Sequence, residues 1–332
     1  MIYLIVIAGL ITAYINGKHD GGTIAATTIT ARLASPRRAL VISGLSNFCG
    51  ALLLGTTVAM TIAGGMVDSE AVLSGDRQSA CLFVLSAFAG SMVWNVITWI
   101  AGLPSSASHS MIGSMIGCVM IGYGADLVNW NNVFIKVILA MLISPVIGFI
   151  IGYILIKIQN HLLRNATMVW GKRIRAMELI STVLLALSYG SNDSQKVMGL
   201  TAIGIAAATA TDISVPWWLV ASCGGALALG TISGGRNMIR SVGKEIVRVD
   251  MDKAFASQLS SIIVVEFSNI AGLPISSTQV ITGSIMGVGT ENTPRSVNWT
   301  ITGKIIAAWI ITLPAAAFMG AMIYKLLTLI II

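Results

Sequence analysis

The stretch that decides the fold is written twice: GLPSSASHSMIG begins at Gly102, and GLPISSTQVITG begins at Gly272. In each copy a Gly-Leu-Pro break interrupts a long apolar run and is followed by serine and threonine hydroxyls. Breaks and hydroxyls are unfavourable in lipid, because polar groups must find their partners inside the protein there. A site that removes the water from a small polar solute would account for both features.

The chain around these breaks has the composition of a membrane domain. Of its 332 residues, 55% are hydrophobic and only 10% are charged, whereas a soluble domain carries about 25% charged residues. Runs such as 79–101 and 133–156 are long enough to cross a bilayer, since about 20 apolar residues span its hydrocarbon core. We predict an all-α polytopic membrane protein, whose apolar N-terminus is a first membrane helix rather than a cleaved signal.

The net charge of +7 indicates orientation in the cell membrane rather than binding of nucleic acid. The basic residues gather mainly in short loops, where they fix the cytoplasmic side, and no basic face with base-reading groups is visible. No Walker motif is present, so we do not expect ATP hydrolysis. The expected partners are the lipid bilayer and a small solute.

Three sequence elements recur in the same order and with similar spacing, which indicates an internal duplication. They are GALLLGT at 50–56 and GALALGT at 225–231, the breaks at 100–117 and 270–287, and GKHD at 17–20 and GSND at 190–193. In the two breaks nine of 18 positions are identical. We predict a first membrane repeat over residues 1–156, a basic cytoplasmic linker over 157–175 and a second repeat over 176–332.

The charge of the loops predicts that the second repeat is inverted relative to the first. The basic linker 157–175 belongs inside, and the acidic loop 65–78 belongs outside. The loop 235–253 is equivalent to 65–78 in the repeat, yet it is mostly basic and is therefore expected inside. Inverted repeats with interrupted or re-entrant helices hold a transporter site near mid-membrane. Both termini are expected outside.

Two short polar segments bring acids to membrane depth. INGKHDGGT and SYGSNDSQK each follow an apolar run, and we expect each to break its helix. An ionisable group in a membrane segment is a functional-site hypothesis, although an interfacial Asp can also be a helix cap. A carboxylate beside free backbone carbonyls suits Na⁺ or a proton. The predicted cation-binding residues are His19, Asp20, Asn192 and Asp193, with Asp20 and Asp193 as metal ligands for a sodium ion.

The Gly-Leu-Pro breaks supply hydrogen-bond donors for an anion. A helix is expected to start just after Pro104 and just after Pro274, and helix N-termini attract anions. Lys196 follows Asp193 by about one turn, so that both can face one cavity, with snorkelling to an interface as its alternative. The predicted anion ligands are Lys196 and the hydroxyls of Ser105, Ser106, Ser108, Ser276, Ser277 and Thr278.

Simpler structural roles compete with these assignments. The hydroxyls could be ordinary N-caps, and we assign the GxxxG pairs to helix packing alone, namely Gly113 with Gly117 and Gly283 with Gly287. Acids for cations and donors for an oxyanion together favour a cation-driven secondary transporter. An anion channel would not need the acid pair. A membrane enzyme using Ser108 and His109 is disfavoured, because adjacent helical side chains point about 100° apart.

These motifs resemble the inorganic phosphate transporter (PiT) family, in particular its short bacterial branch. NGKHDGGTIAATTITARLASPRRA at 16–39 is similar to the first copy of the family's G-[AS]-N-D-x-A-N motif, and GSNDSQKVMG at 190–199 to the second. The hydroxyl runs resemble its duplicated P-x-S-[ST]-[TS]-H motif. The resemblance covers essentially the whole chain. It implies cation-coupled phosphate uptake without a cofactor, with Asp20 and Asp193 at cation sites and the hydroxyl runs at the phosphate.

Three departures from the family pattern bear on substrate and ion. Gly21-Gly22-Thr23 stands where Ala-Asn is usual, so that the Thr23 hydroxyl replaces an amide among the anion ligands. Lys18 replaces a small or apolar residue, and Gln279 replaces a histidine. Sulfate permeases of the same superfamily give the alternative substrate, and the coupling ion is either Na⁺ or H⁺. A homodimer and a soluble cytoplasmic regulator are further candidate partners.

Overall fold

The computed structural model describes residues 1–103, 105–164, 168–234, 239, 241–291 and 293–331. Pro104, part of the linker (165–167) and part of the basic loop (235–238 and 240) therefore lie outside the described residues. The principal helices, numbered in chain order, are α1 Ile2–Thr30, α2 Pro36–Leu53, α3 Thr57–Gly65, α4 Ser69–Ser74, α5 Arg77–Ile100, α6 Ala107–Gly122, α7 Trp130–Leu162, α8 Met168–Thr209, α9 Trp217–Ser233, α10 Met251–Ile270, α11 Ser277–Gly289 and α12 Trp299–Ile331.

The helices have the lengths and surfaces of a polytopic membrane protein. Among the described residues, α1, α5, α7 and α12 are each long and apolar enough to cross a membrane, and α2 with α3 forms a fifth candidate, bent by 70°. Large apolar side chains such as Leu4, Ile143 and Phe318 are exposed on the outer surface, as contact with lipid requires. The described part of the chain contains no strand. The predicted all-α membrane architecture is therefore confirmed.

The breaks after α5 and α10 are built by the same backbone device. Gly102 and Gly272 have φ of +67° and +65°, in the left-handed region that favours glycine. The N–H of Leu103 then bonds to the carbonyl of Thr98 at 3.0 Å, and the equivalent bond after Gly272 is 2.8 Å. This is the bond of a Schellman helix end, and Pro274 cannot continue the helix. The predicted interruptions are real at these two places.

The predicted breaks at the two acids are wrong. Helix α1 is continuous through 16–21, and α8 is continuous through 190–195. The glycines there serve close packing: a Cβ on Gly17 would overlap the backbone carbonyl of Leu227, and one on Gly190 that of Asn47. Small residues let buried helices approach in this way without unwinding. Since the helical backbone is continuous, neither acid has free carbonyls of its own helix beside it.

Helices of the two predicted repeats pack reciprocally. Helix α6 lies against α12 as α11 lies against α7, and α1 lies against α9 as α8 lies against α2. A Cβ on Gly113 or Gly117 would overlap carbonyls of α12, and one on Gly283 or Gly287 would overlap carbonyls of α7. The packing role predicted for the GxxxG pairs is confirmed. Reciprocal packing is what a two-fold relation between the halves requires, while the inverted orientation stays a prediction.

The connection between the halves is shorter than the predicted linker. Helix α7 runs on to Leu162 and α8 begins at Met168. Most of the described residues of the 157–175 segment are therefore helical. Lys157 lies in the last turns of α7, and Arg173 and Arg175 lie in the first turns of α8.

Candidate functional site

All twelve predicted ligands are buried, and none is more than 5% exposed. They come from α1, α6 and α8, from α11, and from the break residues directly before α6 and α11. The long helices α1 and α8 carry the acids, and the two breaks carry the hydroxyls. The fold therefore brings both halves of the chain into one enclosed polar region.

The first acid and its neighbour His19 together contact hydroxyls from both halves of the chain. Asp20 Oδ1 lies 2.8 Å from His19 Nδ1 and accepts a hydrogen bond from Thr278 Oγ1 at 2.9 Å. On the other side of the imidazole, Ser105 Oγ lies 3.5 Å from His19 Nε2. Ser105 is held in turn by Thr98, with 2.7 Å between the two hydroxyl oxygens. The sequence predicted these acids and hydroxyls as separate cation and anion ligands, and the structure joins them directly.

The second acid forms an ion pair within the protein. Lys196 Nζ lies 2.7 Å from Asp193 Oδ1, and Ser277 Oγ donates to the same oxygen at 2.7 Å. The ammonium also donates to Ser108 Oγ at 2.5 Å and to the backbone carbonyl of Ile275 at 2.8 Å. The expectation that Lys196 and Asp193 face one space agrees with this geometry. An ammonium has three N–H donors, so a contact between Lys196 and an anion would require one of these bonds to open.

The serine directly before each of these helices, Ser106 or Ser276, is its N-cap, as the simpler interpretation predicted. Ser106 Oγ accepts from the backbone N–H of His109 at 3.2 Å, and Ser276 Oγ accepts from that of Gln279 at 3.4 Å. A cap satisfies one of the free N–H groups at the start of a helix. Each serine still has its own hydroxyl proton to donate. Capping and anion binding are therefore compatible at these two positions.

Several buried polar atoms on the same motifs have no hydrogen-bond partner among the described residues. They are Thr23 Oγ1, Asn192 Oδ1, both ring nitrogens of His109 and both amide atoms of Gln279. A buried polar atom left unpaired costs about 1–3 kcal/mol. Such atoms are rare in folded proteins and call for an explanation. Their presence beside the acids and helix starts is what a site for a polar solute would require.

Three side chains that complete the region were not predicted. The Tyr189 hydroxyl donates to the backbone carbonyl of Ser277, and Asn269 Oδ1 accepts from Asn192 Nδ2 at 2.6 Å. Gln195 Oε1 accepts two backbone N–H groups at the start of α3, at 2.8 and 3.3 Å. The available signal was a polar side chain within an apolar run near an acid. Its partner could not be read from the chain, because each contact lies far away in sequence.

The donor set suits a hard cation or a proton better than a transition metal. Among the described residues, no group of three or more His, Cys, Asp or Glu side chains converges on one point. The groups present are carboxylate, hydroxyl and amide oxygens, with one imidazole beside Asp20. Oxygen ligands are those preferred by hard cations.

Known proteins resemble this chain over nearly its whole length. The model of the phosphate transporter family matches residues 16–174 and 164–320. The chain is 33% identical to a "probable low-affinity inorganic phosphate transporter" of Bacillus subtilis (strain 168), over 98% of this chain and 97% of that protein. It is 32% identical to a protein of the same description from Rhizobium meliloti (strain 1021), over 94% and 92% of the two chains.

The fold is also shared with a solved structure described as "the sodium-dependent phosphate transporter". The TM-score is 0.88, 99% of each chain is covered, and 23% of the residues are identical. The relatives are described as transporters, which agrees with the expectation that this chain is not an enzyme. The family model covers both halves of the chain, and the relatives align over nearly its whole length. The chain belongs to the phosphate transporter family.

Proposed function

We propose that this chain couples the uptake of inorganic phosphate across the cell membrane to the movement of Na⁺ or H⁺. The observation that carries the proposal is that one helix start touches both acids. Adjacent hydroxyls of α11 donate to them, Thr278 to Asp20 at 2.9 Å and Ser277 to Asp193 at 2.7 Å. A cation that neutralises an acid therefore changes the hydrogen bonding of the segment that faces the anion. This contact is the physical basis of coupling.

The anion in this proposal is held by donors from both halves. Its ligands are the hydroxyls of Thr23, Ser105, Ser106, Ser108, Ser276, Ser277 and Thr278. The Lys196 ammonium lies beside them and adds positive charge, while its N–H groups stay bonded to Asp193, Ser108 and the Ile275 carbonyl. Phosphate near neutral pH still donates hydrogen bonds, whereas sulfate only accepts them. The region is rich in acceptors, including the unpartnered Asn192 Oδ1 and the two carboxylates. This composition favours phosphate over sulfate, the alternative substrate.

The cation in this proposal binds at Asp20. Its carboxylate lies beside the Thr278 hydroxyl and on the same helical turn as Thr23, whose hydroxyl has no partner among the described residues. These oxygens suit Na⁺, and the sodium dependence in the description of the structural relative supports that choice. If H⁺ is the coupling ion, the Asp20 carboxylate and the adjacent His19 imidazole are the groups that would carry it.

Transport also requires the site to open alternately to each side. With every predicted ligand at most 5% exposed, anion and cation have no direct access to solvent in this conformation. Two reciprocally packed halves can rock against each other around a central site. We propose that this motion opens the region first to one face of the membrane and then to the other.

Radiolabelled uptake into proteoliposomes tests the function directly. Na⁺ and pH gradients are imposed independently, and phosphate and sulfate are compared at equal concentration. We expect phosphate accumulation driven by one of the two gradients, exchange of internal against external phosphate, and little uptake of sulfate. Preferred uptake of sulfate would overturn the substrate. Phosphate flux that depends on neither gradient, without exchange of internal against external phosphate, would indicate a channel instead.

A further inference from the structure

The ammonium of Lys196 is surrounded by the kinds of oxygen that bind a coupling cation. Its three partners are a carboxylate (Asp193, 2.7 Å), a hydroxyl (Ser108, 2.5 Å) and a backbone carbonyl (Ile275, 2.8 Å). The carbonyl belongs to the break between α10 and α11. In transporters with discontinuous helices, such unwound carbonyls are the groups that coordinate the coupling ion. Lys196 itself is only 2% exposed.

The first half of the chain has an uncharged residue at the same position. In GKHDGGT at 17–23 and GSNDSQK at 190–196, the acids Asp20 and Asp193 correspond, and Thr23 stands where Lys196 stands. Thr23 is fully buried, and its hydroxyl has no partner among the described residues. Asp20 receives a hydroxyl from α11 just as Asp193 does. At the acids the two halves therefore have different neighbours: Asp193 is paired with a lysine, whereas Asp20 lies beside the imidazole of His19.

We propose that Lys196 is a tethered cation that permanently occupies the second of two equivalent cation sites. Asp193 then needs no exchangeable ion, and coupling uses the Asp20 site alone. This inference rests on the proposed function, because it concerns how many ions accompany the anion. It also explains why Lys196 is buried beside a hydroxyl run although its three N–H donors are all bonded within the protein, so that none is left for the anion.

The consequence is a count of ions. Two bare carboxylates in a buried site would each require a cation, because an unpaired charge there is strongly unfavourable. With the Lys196 ammonium in place, Asp20, Asp193 and Lys196 together carry one net negative charge, whereas the two acids alone would carry two. The chain should therefore bind at most one Na⁺ in this region. Removing the ammonium should uncover a second Na⁺ site made of Asp193, Ser108 and the Ile275 carbonyl.

Equilibrium binding of ²²Na⁺ to the purified full chain tests this count. Four proteins are compared at pH 8 and saturating Na⁺: wild type, Lys196→Ala, Asp193→Asn/Lys196→Ala and Lys18→Ala. Lys18 is the matched control, because it removes one lysine from α1 whose Nζ lies 5.0 Å from the centroid of the Trp99 ring. Gel filtration verifies that each variant is folded and monodisperse.

We expect Lys196→Ala to bind one Na⁺ per chain more than wild type. The double variant and Lys18→Ala should bind the same number as wild type. A folded Lys196→Ala that gains no Na⁺ would overturn the proposal, as would an equal gain in the double variant. If Lys196→Ala does not fold, the wild type decides: at most one Na⁺ per chain supports the tethered cation, and two contradict it.

Phosphate uptake by the same wild-type preparation separates this inference from the proposed function. Sodium counts as expected, without phosphate uptake, would leave the tethered cation standing and remove the substrate. Phosphate uptake with two bound Na⁺ per wild-type chain would support the proposed function and overturn the tethered cation.

Discussion

Asp20 and Asp193 occupy matching positions on two helices, but different neighbours neutralise them. Asp193 is paired with the Lys196 ammonium at 2.7 Å, whereas Asp20 lies beside the imidazole of His19 and accepts a hydrogen bond from the uncharged hydroxyl of Thr278. Breaking a buried ion pair by removing one partner is strongly destabilising, because the other charge is left uncompensated. The two acids should therefore respond differently to the same substitution.

Asp193→Asn is expected to lower the free energy of unfolding by about 3–5 kcal/mol, since it leaves Lys196 buried and unpaired. Asp20→Asn should cost clearly less, and both variants should lose ion-coupled uptake. Thermal unfolding in detergent measures the difference. Asp193→Asn/Lys196→Met should recover much of the lost stability, because it removes both charges. Equal destabilisation by the two single substitutions would contradict the assigned pairing.

Residue type and repetition were enough to pick out the acids and hydroxyls that the fold brings into one buried region. Polar groups are unfavourable in lipid. An acid that recurs at membrane depth and a hydroxyl run that recurs after a proline therefore indicate a functional site. The partners were not predictable, because they depend on packing between distant segments. The Ile275 carbonyl, which accepts from Lys196, carries no side-chain signal at all. Lys196 was expected to contact the anion, and only its geometry reveals three internal partners.

At the scale of elements, glycine has two different structural roles in the polar segments, and the sequence pattern did not distinguish them. At Gly102 and Gly272, glycine takes a positive φ and ends a helix. At Gly17 and Gly190, it lets another helix approach while the helix continues. Proline follows two residues later in the first case and is absent in the second. With proline as the criterion, the breaks at the hydroxyl runs are predictable and the supposed breaks at the acids disappear.

Gly190→Ala tests the packing role of these glycines. Its Cβ would overlap the backbone carbonyl of Asn47, and overpacking of this kind costs typically about 1–3 kcal/mol. Gly64→Ala is the control, because a Cβ there meets nothing within 4 Å and alanine favours a helix. We expect Gly190→Ala to lower the thermal midpoint in detergent and Gly64→Ala to leave it unchanged or raise it. A tolerated Gly190→Ala would mean that α8 can unwind or shift at this point.

At the scale of the molecule, helices of each half pack against the other half and so enclose one buried polar region. Helix α6 of the first half packs on α12 of the second, and α11 packs on α7. Each hydroxyl run therefore sits on a helix anchored in the other half. The repeated motifs were visible in the sequence. The packing of helices from one half on helices of the other was not, because similar sequences do not show which helix packs against which. Movement of one half against the other should displace both helix starts together.

The central claim is that helix starts from both halves bind the same phosphate. Equilibrium binding of radiolabelled phosphate to Ser106→Gly, Ser277→Ala and the double variant tests it most directly. Glycine still serves as an N-cap at a cost of only a few tenths of a kcal/mol, so Ser106→Gly removes the hydroxyl with little effect on α6. Ser114→Ala is the control on the same helix, with a buried hydroxyl that lacks a partner among the described residues.

We predict that each single variant weakens phosphate binding by about 10- to 100-fold, since a hydrogen bond to a charged group contributes about 1.5–3 kcal/mol. The double variant should lose less than the product of the two factors, because ligands of one anion are coupled. Ser114→Ala should bind phosphate as wild type does. Unchanged affinity in both single variants and in the double variant would contradict the account and leave the two breaks as packing devices alone.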